Sequence, residues 1–451
     1  MMQGRVVLRG DDDYARTRQI WNRAVEYQPA LFAVCETSTD VQPAVSVARR
    51  HSMPFSVRGG GHHWAGLALC PDGLVIDLST MRQVTVDRHS RVATVQGGAR
   101  LKEVAAAAGA HGLVAALGNC GAVGVAGLTL GGGYGPLNGL YGLAADNLLG
   151  AEVVLGDGPR VTAGPDEEPE LFWAIRGGGG NFGVVTSMRV ELHETHHMLA
   201  GPIVYPLDDA DQVLRRYAEF AGSMPDELGI TVGMTSSPDG QPILLFLPLW
   251  NGDKHRGEHI IRDVQALGTP QLAQVGRMSY TDMLALYDAS VDAADHCHWE
   301  MRTRSLPALP PAAIDAITRA VAARTSPYSM VNWHHLHGAA TRILPEATAF
   351  GLRQEHFMLE IIAAWDPSRS DGAVHRQWAR DLWESLAPFA LPSSYANQLG
   401  PHNREQARDA YGSNGARLRA LKRRFDPDGV FASAIPLPDE HRGPNTVAKE
   451  I

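Results

Sequence analysis

Ser56 to Gly66 reads SVRGGGHHWAG: an arginine, a run of three glycines, two histidines and a tryptophan. Glycines let the main chain approach a bulky ligand and turn its amide protons toward anionic oxygens. An imidazole beside such a loop can be a base, a metal ligand or a nucleophile. A second stretch, GNCGAVGVAGLTLGGGYGPLNGLYGLAADN, runs from Gly118 to Asn147 and holds Cys120, glycines at 121, 124 and 127 and a triple glycine at 131–133. A third, GGGGNFGVV, sets Gly178, Gly180 and Gly183 at the G-x-G-x-x-G spacing of a dinucleotide loop. That spacing marks a phosphate site only where a strand precedes and a helix follows. Here helix-like ELFWAIRG comes first and strand-like VVTSMRV second, so the Rossmann reading falls away. Any single glycine here is best explained by a turn or a packed helix. Three glycine loops in one half of the chain point to a large planar or phosphate-bearing cofactor lying along exposed backbone.

The elements that must carry these loops read as α+β. STDVQPAVSVARRHSM has helical periodicity, and PFSVRG is a short strand running into the glycines. GLVIDLS and RVATVQGG are strand-like, and ARLKEVAAAAGAHG is a helix closed by Gly109 or Gly112. NLLGAEVVLGDGPRVTA is a strand pair turning at Asp157-Gly158. From about residue 197 the texture changes: longer helices (DADQVLRRYAEFAGSM, PPAAIDAITRAVAART, GAVHRQWARDLWESLAP) alternate with strands such as PILLFLPLW and HFMLEIIAAW. This predicts a second domain with an antiparallel sheet covered by helices. The expected division is 1–196, 197–399 and a C-terminal segment 400–451 that returns to the first domain.

Composition bounds the class. The chain has 451 residues and a formal net charge of -9, leaving no basic surplus for nucleic acid or an anionic membrane. Four cysteines are too few and too scattered for a disulfide framework or a zinc cage, and no apolar run approaches transmembrane length. The opening MMQGRVVLRGDDDYARTRQIW has no apolar signal core. The expectation is a cytoplasmic enzyme, monomer or homodimer, acting on a small molecule without a metal.

Four motifs together resemble the FAD-linked oxidases of the berberine-bridge type, within the vanillyl-alcohol-oxidase superfamily. They are VRGGGHHWAG, GNCGAVGVAGLTLGGGYG, LFWAIRGGGGNFGVVT and YGSNGARLRALKRRFDPDGVF, in family order. The resemblance implies a PCMH-type FAD-binding domain of two α/β subdomains plus the substrate domain. It also implies FAD attached through its 8α-methyl to His62 and, by a second link from ring carbon C6, to Cys120. Imidazole nitrogen and thiolate are nucleophiles that can add to an electron-poor flavin. Carried over residue by residue, Arg58, Gly59, Gly60, Gly61, His63 and Gly66 approach the pyrophosphate and ribityl chain. Cys120, Gly121, Val123, Gly124 and Gly127 pass the isoalloxazine. Asn147, Gly183 and Val185 hold the adenosine half or pyrophosphate, and Asn414 returns to the ribityl chain.

The substrate half departs from the family. Relatives end the middle sheet with a tyrosine in Y-x-N-Y; here the piece is YANQ, with Gln398 in that place, and Leu352 in TAFGLR replaces a histidine. Glutamine takes no proton at neutral pH. NWHHLHG puts His335 and His337 on one strand face and His334 on the other. His335 or His337 is therefore the expected replacement base, with Tyr395 and Tyr134 as the other candidates. The expected activity is hydride transfer from an alcohol, amine or activated C–H group to FAD N5, with O₂ as electron acceptor. Its rivals are a dehydrogenase, an oxidative cyclase and a flavoprotein with a non-redox role.

Overall fold

The computed structural model describes residues 2–437 apart from 238, 293, 401, 402, 432–434 and 436. Two larger sheets, with a two-stranded pair of Leu113–Val114 and His193–Glu194, build the first half. In the smaller, Leu31–Val34 and Phe55–Arg58 flank Leu74–Asp77 in parallel, and Arg5–Leu8 pairs antiparallel with Leu31–Val34. All four side chains of Leu74–Asp77 are buried, as expected of a parallel strand covered on both faces. The helix Ser38–Arg50 supplies part of that cover, burying Val41, Ala44, Val45 and Ala48 at helical spacing. Phe55–Arg58 runs straight out into Gly59–Gly61.

The second sheet is antiparallel, in the order Val84–Asp87, Val92–Gln96, Val184–Glu191, Leu148–Val154, Arg160–Ala163. Its last pair turns at Asp157-Gly158, with Gly158 at φ +103°. The predicted helix over ARLKEVAAAAGAHG spans Leu101–Gly109, and the middle of the second glycine stretch is the helix Val125–Leu130. The short helix Pro169–Ala174 precedes the third glycine run and the strand Val184–Glu191 follows it, the order that set the dinucleotide reading aside.

The third sheet has nine strands, all paired antiparallel, and begins at His197–Ala200. Its two faces have different fates. Ile230, Val232 and Met234, with Val331, Trp333, Leu359 and Ile361, pack under the helices Ala210–Ala221, Pro311–Ala322 and Ala373–Ser385. The alternate residues look the other way, toward the glycine loops. One helix, Tyr280–Asp292, leaves this sheet and packs on Leu101–Gly109. After residue 400 the chain is back against the first half. Lys422 Nζ donates to the carbonyls of Asn181 and Phe431 and pairs with Asp426, while Arg417 pairs with Glu170. No helix among the described residues is long and apolar enough to cross a membrane.

Candidate active site

The glycine loops and the open face of the nine-stranded sheet enclose one cavity of about 1050 Å³. That lies at the upper end of ligand pockets, which run to about 1,000 Å³. Gly59, Gly60, Gly61, His62, His63, Cys120, Val123, Gly124, Gly127, Gly183 and Val185 all line it. The backbone itself forms part of the wall. A Cβ on Gly127 or Gly180 would meet nothing within 4 Å, and one on Gly60 would lie 2.3 Å from the Gly124 nitrogen. Two glycine loops thus close on each other, and their neighbours open bare main chain to the cavity.

His62 and Cys120 come from loops 58 residues apart in sequence, yet His62 Nε2 lies 3.7 Å from Cys120 Sγ. One ring edge can therefore meet both. The His62 ring stacks on Trp21, centroids 4.6 Å apart and 17° from parallel. Burial pushes the His62 pKa down to about 4, so the imidazole is neutral. Burial pushes the Cys120 thiol up to about 12. His63, also pushed down to about 4 by burial, keeps a buried Nε2 with no hydrogen-bond partner. A glycine cradle, an orphaned ring nitrogen and two adjacent nucleophiles fit a flavin dinucleotide.

Five residues expected at the cofactor stand elsewhere. Arg58 is held by the buried Asp77 carboxylate (Nε to Oδ1 2.9 Å), with its guanidinium over the Phe32 ring, and so shapes the loop from behind. Gly66, at φ +72°, donates its N–H to the His63 carbonyl in a turn. Gly121 donates its N–H to Asp288 Oδ1 at 2.8 Å. Asn147 Nδ2 caps the carbonyls of Tyr141 and Leu143, and Asn414 Nδ2 caps those of Pro345 and Thr348. All five brace the loops rather than line the cavity.

The sheet face over the cavity can be mapped from strand register. One row across it is Leu247, Thr231, His334 and Met358; the next is Leu245, Gly233, Asn332 and Glu360; the third is Ile243, Thr235, Met330, Ile362 and Met301. Period two correctly separated His334 from His335 and His337, but the cavity takes His334. His335 and His337 lie on the opposite face. There the His335 ring stacks on Phe357 with centroids 4.4 Å apart, and its Nε2 meets Glu355 at 2.9 Å. The expected base pair is thereby corrected: packing under the helices claims that face.

The group that sequence reasoning missed is Glu360. It is buried, lines the cavity, and its Oε1 accepts from Gln398 Nε2 at 2.6 Å. Burial raises its pKa to about 7, against hydrogen bonds from Gln398 and Asn332 that lower it. Glu360 is the one acidic side chain among the described cavity-lining residues, and none of them is lysine or arginine. Its sequence signal was a glutamate inside the apolar run HFMLEIIAAW. Tyr395 and Tyr134 also line the cavity, ring centroids 4.6 Å apart. Tyr395 Oη accepts from Gly133 N–H (3.1 Å) and from Asn397 Nδ2 (2.8 Å). Tyr134 Oη lies 2.7 Å from His356 Nε2. His356 Nδ1 is 2.7 Å from the Gln354 carbonyl, which can only accept, so Nε2 receives the tyrosine proton. Burial pushes both phenols up, Tyr395 to about 12.

Comparison with known proteins agrees with this geometry. Residues 29–164 match the FAD binding domain family, and 394–438 match the berberine and berberine-like family. An uncharacterized FAD-linked oxidoreductase of Bacillus subtilis (strain 168) is 30% identical over 448 residues, 98% of this chain and 98% of the relative. The crystal structure of 6-hydroxy-D-nicotine oxidase from Arthrobacter nicotinovorans matches with TM-score 0.89 at 28% identity, over 98% of this chain and 99% of that one. Xylooligosaccharide oxidase from Myceliophthora thermophila C1, solved with xylobiose, matches with TM-score 0.83 at 25% identity, over 97% of this chain and 98% of that one.

Proposed function

The chain belongs to the FAD-linked oxidoreductases of the berberine-like family, and on that premise we propose that it is a covalently flavinylated oxidase of a small, largely apolar amine or alcohol. The observation that carries this reading is the 3.7 Å approach of His62 Nε2 and Cys120 Sγ inside a cavity walled by bare glycine backbone. His62 holds the cofactor covalently, Cys120 supplies the second link, and the amides of Gly59–Gly61, Gly124 and Gly180 face its phosphates. Bound there, FAD would supply a hydride acceptor at N5 and a route for the electrons to O₂.

Glu360 then takes the proton that the substrate gives up. A carboxyl titrating near 7 is matched to general-base work at neutral pH. Gln398 donates to its Oε1 and fixes the carboxylate plane. Tyr134 and Tyr395 stay protonated and shape the wall on which the substrate lies. Beyond Glu360 the third sheet row offers Ile243, Met330, Ile362 and Met301, an apolar wall interrupted by the hydroxyl of Thr235, which suits an apolar body better than an oligosaccharide. Of the two named relatives, the hydroxynicotine oxidase acts on the kind of molecule that fits this wall better. We place the working division at residues 197 and 400, with the cavity between the first and second parts.

The test is an anaerobic screen for flavin bleaching with apolar amines, apolar alcohols and xylobiose, followed by admission of air. Bleaching by an apolar compound with prompt recovery and hydrogen peroxide release is expected. Bleaching without recovery in air makes the protein a dehydrogenase. No bleaching by any compound, with dithionite still reducing the flavin, removes the redox reading.

A further inference from the structure

We propose that Asp288 is the proton acceptor through which Cys120 is joined to the flavin ring, an inference that rests on Cys120 being the second attachment point. The helix Tyr280–Asp292 comes from the second half of the chain and is pinned to the Cys120 loop, with Tyr280 Oη donating to the Gly118 carbonyl. This brings Asp288 Oδ1 to 2.8 Å from the N–H of Gly121, the residue next to Cys120, and the carboxylate charge acts on the Cys120 thiol. Residue 121 has to be glycine for this approach: a Cβ there would lie 2.5 Å from Asp288 Oδ2. Leu286, Tyr287 and Ala289 line the cavity while Asp288 does not.

Chemistry makes such a group necessary. The sulfur nucleophile is the thiolate, and burial, with Asp288 itself adding to the effect, pushes this thiol up to about 12. Little thiolate exists beforehand, so the proton must leave as the bond forms. His62, the other neighbour, uses its nitrogen for the first link. The Cys120 S–H and ring C6–H bonds break and an S–C6 bond forms. One proton passes to Asp288 and one to solvent, and the two electrons go by way of the flavin to O₂, giving hydrogen peroxide. The other titratable groups facing this spot are His62 on the glycine loop, Arg100 and Lys102 at the start of Leu101–Gly109, and Tyr287 on the same helix as Asp288.

Asp288→Asn keeps an oxygen for the Gly121 N–H and loses only the base, so a bracing role would survive it. Peptide mass spectrometry of the purified holoprotein should find flavin still on the His62 peptide. The Cys120 link should be absent, or form in air about 10²-fold or more slowly. Asp288→Glu should restore it. In the Asn variant the link should form about tenfold faster per added pH unit, as thiolate accumulates, whereas the wild type should link at neutral pH. Wild-type linkage in Asp288→Asn overturns the inference and leaves Cys120 attachment standing. A wild-type protein with flavin on His62 alone overturns both, while the His62 link stands.

Discussion

Glu360 sits where two opposing influences meet: burial raises its pKa, and amide donors from Gln398 and Asn332 lower it, leaving about 7. A base must be deprotonated to act, so the rate of anaerobic flavin reduction should rise with pH through about 7 and level off above. Glu360→Gln should lose that dependence and react about 10²- to 10⁴-fold more slowly while keeping its flavin. His335→Ala and His337→Ala should reduce flavin close to the wild-type rate, because both rings lie on the helix side of the sheet. Rapid-mixing spectrophotometry distinguishes these outcomes. His62 and Cys120 were singled out in the sequence by the resemblance their glycine-rich motifs carry, and the fold brings the two side chains to 3.7 Å. Glu360 was not, because reasoning toward a base near neutral pH favours histidine, and only burial brings a glutamate there.

The glycine loops and the sheet face set what the residues can do. The parity of Met330–Leu336 was readable from period two, but which parity faces the cavity depends on where the helices Pro311–Ala322 and Ala373–Ser385 pack, and a single strand does not record that. Asn147 and Asn414 stand off the cavity wall for a related reason. Their amides are consumed by carbonyls of the turns they close, partners seen only after folding. The close approach of the two loops gives a sharp test. A Cβ on Gly60 would meet Gly124 backbone at 2.3 Å, where nothing flexible can yield. Gly60→Ala should therefore purify with much less flavin per protein, measured by visible against ultraviolet absorbance. Gly164→Ala, where a Cβ meets nothing within 4 Å and which lies outside the cavity, should keep its full complement.

Across the whole molecule the two halves share one cavity, and the histidines buried around it make folding pH-sensitive. His334, His337 and His356 are pushed from 6.5 to about 4 by burial. Their folded pKa values are depressed, so the unfolded chain gains protons first as pH falls below 6.5. Stability present above that pH is then lost on the way to about 4. Glu360, raised to about 7, acts with the opposite sign and offsets one of the three. His62, His63 and His335 are depressed in the same sense, so histidines outweigh Glu360, at up to roughly 1.4 kcal/mol per pH unit for each uncompensated one. Urea unfolding midpoints should accordingly drop steeply between pH 6.5 and 5, above the range where ordinary carboxylates titrate. The central claim remains that the chain holds FAD covalently through His62 with Cys120 beside it. Acid precipitation followed by peptide mass spectrometry tests this most directly. A yellow pellet and one flavin bridging the His62 and Cys120 peptides are expected; a colourless pellet with free FAD in the supernatant would show that the flavin is not covalently held.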